Sequence, residues 1–215
     1  MDLLFSGVTI VTMDEAMHVY FDAYLGVTGT KISYISKDPP TQAPQKIMDA
    51  TGMVLMPGLI NCHTHLALSL LRGYAEDCGL SRWLSDCVLP REDRMDPRAA
   101  RAGVLLSLAE CIRFGITSVS DLYPFPEVTA QAVAEVGLKA NIAPALTLFS
   151  DESEDFDFEK DPSCRKLQEL VDQWHGYDAG RICVDAGIHA PYTSHYKLWE
   201  PLSDYAGEKG LRMQV

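Results

Sequence analysis

From Val54 onward the sequence alternates short apolar runs with longer stretches of helical periodicity, and few folds accept that order. Apolar runs stand at 54–60, 116–120, 139–149, 182–188 and 211–215. Between them apolar residues recur at helical spacing: Leu105, Leu108, Ala109 and Ile112, then Val128, Ala132 and Val136, then Leu167, Leu170, Val171 and Trp174. Asp96-Pro97 supplies a cap and first turn for the first of these helices, and Gly115, Gly137 and Gly176 stop the three in turn. A fourth helix is expected over 194–209, kinked or split by Pro201. Near-continuous apolar strands joined by helices make a parallel sheet with the helices outside. The expected fold class is therefore α/β. Five strands are too few to close an eight-stranded barrel, and the fifth runs to the last residue. The expectation is of about half a protein.

Residues 1–55 read differently. Leu3-Leu4-Phe5, Val8 to Val11, Tyr20 to Val27 and Lys31 to Ile35 are rich in β-branched and aromatic residues, and Gly7, Gly26, Gly29 and Asp38-Pro39-Pro40 punctuate them. They form the amino-terminal part of a small β-domain, in which His18 is a structural or surface residue. Residues 56–215 form the second domain. Its first strand-to-strand connection, 61–115, is longer than a crossover needs, so Leu66 to about Arg94 is expected as a substrate loop over the sheet's end.

Charge excludes some partners. A formal net charge of −12 would repel nucleic acid and anionic membranes alike. Asp151 to Asp161 carries seven acids and one lysine, but it lacks the spaced ligands and central glycine of an EF-hand and reads as a solvated loop. No apolar stretch reaches 18 residues, and the amino terminus lacks a signal-peptide pattern. The six cysteines are scattered without a C-x-x-C pair, as reduced thiols would be, so a cytoplasmic protein is expected.

The chemistry-bearing stretch is Met56-Pro57-Gly58-Leu59-Ile60-Asn61-Cys62-His63-Thr64-His65. It reads as an apolar strand, Val54 to Ile60, running out into a His-x-His pair. Residues i and i+2 of an extended chain face the same side, so His63 and His65 can offer two imidazoles to one divalent cation, while Cys62 and Thr64 face away. Other polar residues fall at strand ends: Asp121, which could equally cap the next helix, and His189. In a (β/α)8 enzyme that rim is where an active site gathers.

The Pro-Gly-Leu-Ile-Asn-x-His-Thr-His string resembles the metal-binding signature of the amidohydrolase superfamily. With Leu70-Leu71-Arg72-Gly73-Tyr74, Trp83-Leu84, Leu89-Pro90-Arg91-Glu92 and His189-Ala190-Pro191-Tyr192-Thr193, it is similar to the branch of S-adenosylhomocysteine/5′-methylthioadenosine deaminases, guanine deaminases and chlorotriazine hydrolases. The resemblance implies a (β/α)8 TIM barrel, here about its first five strands. It implies one divalent metal, zinc in preference to iron, held by His63 and His65. Trp83 would pack on an amino-heterocycle substrate and Glu92 would bond ribose hydroxyls. His189 would contact the substrate and stabilise the tetrahedral intermediate of metal-hydroxide attack, with release of ammonia. The third histidine ligand, the general acid/base glutamate and an aspartate ligand would lie beyond residue 215, so the chain alone is expected to be inactive. Relatives of this branch imply a homo-oligomer, dimer or tetramer, for the complete protein.

One further departure bears on the substrate. Where nucleoside deaminases of the branch carry an arginine after the third strand, Asn141 to Phe149 has none, which argues against a substrate with a charged tail. Two rival readings stay open: hydrolysis of another leaving group, as from a chlorotriazine, and a non-catalytic barrel scaffold.

Overall fold

Pro57-Gly58 breaks the apolar run at 54–60, and its two halves pair with different partners. Val54–Leu55 joins the strand Leu3–Val11, whereas Leu59–Thr64 pairs with Ile116–Tyr123. Proline has no N–H to give a ladder. The single strand expected over Val54 to Ile60 is corrected accordingly: His63 lies inside the second strand and His65 just past its end. The computed structural model describes residues 1–215 and divides into two units, Met1–Gly58 and Leu59–Val215.

In the first unit β1 (Leu3–Val11), β2 (Val19–Thr28), β3 (Lys31–Ser36) and β4 (Lys46–Asp49) lie in the order β3-β2-β1-β4, and β5 (Val54–Leu55) also pairs with β1. β1–β2 and β2–β3 are antiparallel, and β4 and β5 run parallel to β1. Val8, Ile10, Ala23, Leu25 and Ala50 form its core. His18 is exposed and its Nδ1 lies 2.7 Å from Asp14 Oδ2, a surface pair.

The second unit alternates strand and helix. Its order is β6 (Leu59–Thr64), α1 (Pro97–Arg113), β7 (Ile116–Tyr123), α2 (Pro126–Val136), β8 (Lys139–Pro144), α3 (Pro162–Trp174), β9 (Ile182–Val184), β10 (Ala186–Gly187), α4 (Tyr196–Lys209) and β11 (Met213–Gln214). β6-β7-β8-β9 pair in parallel, and β10 pairs in parallel with β11. The apolar run at 182–188 is thus two strands, parted at Asp185. Val104 and Leu108 of α1 pack with Val119, Val133 and Ile142, while Leu167, Leu170, Leu198 and Leu202 pack with Leu146, Val184 and Ile188. Each such fully buried side chain contributes about 1.5–3 kcal/mol.

Caps behave as their residues dictate. Asp96 accepts from Ala99 N–H at 2.7 Å, and Asp161 accepts from Ser163 and Cys164 N–H at 2.8 and 2.9 Å. The acidic 151–161 segment is therefore more than a solvated loop, since it caps α3 and buries Phe158 beside Tyr205. Pro201 does not split α4. It removes one amide donor, and burial of Leu198, Leu202, Tyr205 and Ala206 outweighs that loss.

Residues 66–92, expected as a loop, form a string of short helical turns: Leu66–Leu71, Leu80–Arg82, Trp83–Val88 and Leu89–Glu92. The first turn lies against α1 because Gly103 has no side chain. A Cβ there would run into the carbonyl oxygen of Ala67. Ser69 donates to Gly103 O at 2.9 Å and Ser107 to Leu66 O at 2.8 Å, so α1 holds the chain that follows His65. Gly103→Ala should gain about 1 kcal/mol in helix propensity. Overpacking against backbone costs about 1–3 kcal/mol. The expected net loss is up to about 2 kcal/mol, read as a lower urea midpoint at unchanged slope.

Candidate metal centre and substrate cavity

His63 lies within β6 and His65 one residue past its end, beyond a register shift between Asn61 and Thr64. The two histidine ring centroids lie 4.9 Å apart with planes at 79°. Two imidazoles that share one divalent ion stand at about this separation, so the spacing permits a shared cation. His65 Nδ1 lies 2.6 Å from the carbonyl oxygen of Leu122. A carbonyl only accepts, so Nδ1 carries the proton and Nε2 of the neutral ring is left with a lone pair. That is the arrangement by which a metal-bound histidine is oriented. No third histidine, cysteine or carboxylate joins the pair.

Asp121 lies within β7 and is 1% exposed. It accepts from Leu66 N–H at 2.7 Å and from Thr64 Oγ1 at 2.9 Å, with Thr129 Oγ1 at 3.4 Å. It does not cap the next helix, whose N-cap is Phe125. Thr64 also reaches Ser120 O at 2.9 Å. The residues on either side of His65 are therefore tied to β7. Burial raises the Asp121 carboxyl to about 6, against the pull of these donors and of nearby His65.

Beyond His65 opens a cavity of about 320 Å³ that gathers residues distant in sequence. His65, Trp83, Glu92 and His189 all line it, with apolar walls from Leu84, Val88 and Phe149. His63 lines a neighbouring hollow with Ser120, Asn141, Asp185 and Gln214. Trp83 begins the π-helical turn Trp83–Val88 and is half-buried. Glu92 closes the turn Leu89–Glu92 and forms no ion pair with Arg91 or Arg94. Its Oε1 accepts from the Tyr123 hydroxyl at 2.7 Å, while Arg91 sits 5.2 Å from the Tyr74 ring centroid.

His189 follows β10, where Gly187 lets that strand approach β8. A Cβ at Gly187 would meet the Pro144 oxygen. His189 Nδ1 lies 2.8 Å from Thr193 Oγ1, which itself donates to Ala190 O at 3.2 Å. Nδ1 is therefore the donor, and Nε2 of the neutral ring is free to accept. Burial holds His189 below the ordinary histidine range, with Glu92 opposing and His65 reinforcing.

Sequence reasoning missed the residues that hold these side chains. Tyr123 carries no local signal, and although Thr64 and Thr193 sit in the quoted strings, nothing there gives their bonds to Asp121 and His189. Also unforeseen is a polar cluster on the inner sheet face, where Asn141 Nδ2 donates to Asp185 Oδ2 at 2.9 Å and Arg212 Nε lies 3.5 Å from Asp185 Oδ1.

Comparison with known proteins bears on this geometry. The model of the amidohydrolase family matches residues 54–215. The chain is 33% identical to a 5-methylthioadenosine/S-adenosylhomocysteine deaminase of Pelotomaculum thermopropionicum, over 100% of this chain and 48% of that protein. It is 32% identical to a 5′-deoxyadenosine deaminase of Methanosphaera stadtmanae, over 88% and 43% respectively. The crystal structure of an adenosine deaminase from Xanthomonas campestris with bound zinc superposes with a TM-score of 0.87 at 29% identity, covering 99% of this chain and 48% of that one. The chain spans about half the length of the curated relatives it matches. The α/β fold class, with its parallel strand–helix order of a (β/α)8 barrel, is borne out.

Proposed function

Because the chain belongs to the amidohydrolase family, we propose that it supplies part of the active site of a metal-dependent hydrolytic deaminase acting on an aminopurine nucleoside or related amino-heterocycle. The observation that carries this reading is the single cavity lined by His65, Trp83, Glu92 and His189. The relatives' names support the reaction and the nucleoside class.

In this proposal His63 and His65 hold a divalent ion, with zinc favoured by imidazole chemistry and by the zinc-bound adenosine deaminase. The chemistry such an ion supplies is activation of water at neutral pH. Trp83 offers its ring to the face of a heterocycle. Glu92, fixed through one oxygen by Tyr123, presents the other to hydroxyl donors. His189, neutral and held through Nδ1, presents Nε2 as an acceptor to an amino group and as a site for a proton in transit. Leu84, Val88 and Phe149 give the cavity apolar walls against which a heterocycle can pack.

Two imidazoles hold an ion weakly, and Asp121, the carboxylate nearest their segment, is already engaged by three donors. The 215-residue chain by itself is therefore expected to be slower, by roughly 10²-fold or more, than a polypeptide of the relatives' full length that contains it, since a positioned general base contributes at least that much. An ammonia-release assay on adenosine, 5′-deoxyadenosine and 5′-methylthioadenosine tests both parts. Equal turnover by the chain alone overturns the shared-site reading. Chloride from a chlorotriazine, with no ammonia from any aminopurine, overturns the deaminase.

A further inference from the structure

Building on the nucleoside reading of the cavity, we infer that Tyr123 is a positioning residue for Glu92, its phenol holding one carboxylate oxygen so that the other meets the adjacent hydroxyls of a ribose. The Tyr123 side chain is 4% exposed and its hydroxyl lies 2.7 Å from Glu92 Oε1. Most buried phenols find an acceptor, although Tyr205 here does not; for Tyr123 the acceptor is a cavity carboxylate, giving a short charge-assisted bond.

The proton stays on the phenol. Burial, then the hydrogen bond to Glu92 and the Glu92 charge, push Tyr123 far above the ordinary tyrosine range, so it remains a donor at any working pH. Glu92, an acceptor only, keeps its remaining lone pairs for a ligand. Without the bond, Glu92 would sit at the end of a four-residue turn free to sample rotamers, and ordering it on binding would cost affinity.

Tyr123 also links the two sides of the cavity. It is the last residue of β7, directly after Leu122, whose carbonyl holds His65, and its ring centroid lies 6.0 Å from that of His65. One strand end thereby sets both the metal-facing imidazole and the ribose-facing carboxylate. If Tyr123 merely fastened the 66–92 turns to the sheet, its loss would weaken every ligand of the cavity equally. The positioning role predicts a loss confined to ligands with vicinal hydroxyls.

Nuclear magnetic resonance titration of the 215-residue chain with adenosine and with 2′,3′-dideoxyadenosine separates these. The unsubstituted chain should prefer adenosine by about tenfold, the scale of one hydrogen bond to a charged group. Glu92→Gln should remove that preference. Tyr123→Phe should remove most of it and leave dideoxyadenosine binding unchanged. It should also displace the Glu92 carboxyl-carbon resonance in the absence of ligand. An unmoved resonance, or a preference lost in Glu92→Gln but kept in Tyr123→Phe, overturns the inference alone. Absence of any preference in the unsubstituted chain overturns the ribose role of Glu92, and the positioning role with it.

Discussion

Replacing His65 by alanine is expected to abolish zinc binding by this chain, measured by titration calorimetry and by metal content after dialysis. The argument rests on number as much as on geometry. With no third side chain at hand, removing one of two imidazoles leaves a lone histidine that water displaces. His63→Ala should do the same. Cys62→Ser should leave binding unchanged if the two imidazoles alone hold the ion; a loss would bring in the thiol, which lines the same hollow as His63. His65 also has a stake in the fold through the 2.6 Å contact of Nδ1 with Leu122 O, so the variant's unfolding must be measured beside its metal content. His65→Asn is the useful second variant, since it keeps an amide donor for that carbonyl while lacking the imidazole. If it melts like the parent yet binds no zinc, the loss is one of ligation and not of folding. Zinc retained by both variants would move the metal away from the His-x-His pair.

Much of this architecture was legible in the residues because the signals were local. The strand–helix order, which begins at Leu59 and not at Val54, the cap at Asp96 and the stop at Gly137 each follow from a few adjacent side chains. The cavity-facing residues were legible for another reason: Trp83, Glu92 and His189 stand in strings that resemble one family, and the fold brings them to one cavity.

What escaped was set by contacts across long separations. Nothing near Tyr123 says that its hydroxyl will meet Glu92, 31 residues earlier. Nor does a strand-end aspartate announce whether it caps a helix or ties down the neighbouring strand. Asp121 does the second because Leu66 and Thr64 come to it from 55 and 57 residues away. The misplaced strand over Val54 to Ile60 has a plainer cause. Apolarity extends straight through Pro57-Gly58, where the missing N–H ends one ladder before the next begins.

Asp121→Ala should be among the most damaging single changes in the barrel wall. It strips the acceptor from the Leu66 amide and from the Thr64 and Thr129 hydroxyls. A buried donor left unpaired costs about 1–3 kcal/mol. The hydroxyls can turn elsewhere, as Thr64 already reaches Ser120 O, but the Leu66 amide cannot. Against this stands the relief of no longer burying a charge, the same burial that raises the Asp121 carboxyl. The balance is a loss of about 1–2 kcal/mol, or roughly 2–8 °C in melting temperature for a chain of this size. Asp121→Asn has the same shape and keeps one oxygen for the Leu66 amide, so it should lose less than half as much. The two variants thus separate shape from acceptor chemistry. Should Asp121→Asn fall as far as Asp121→Ala, the negative charge itself, and not the hydrogen bonds, would be what holds the residues around His65 to β7.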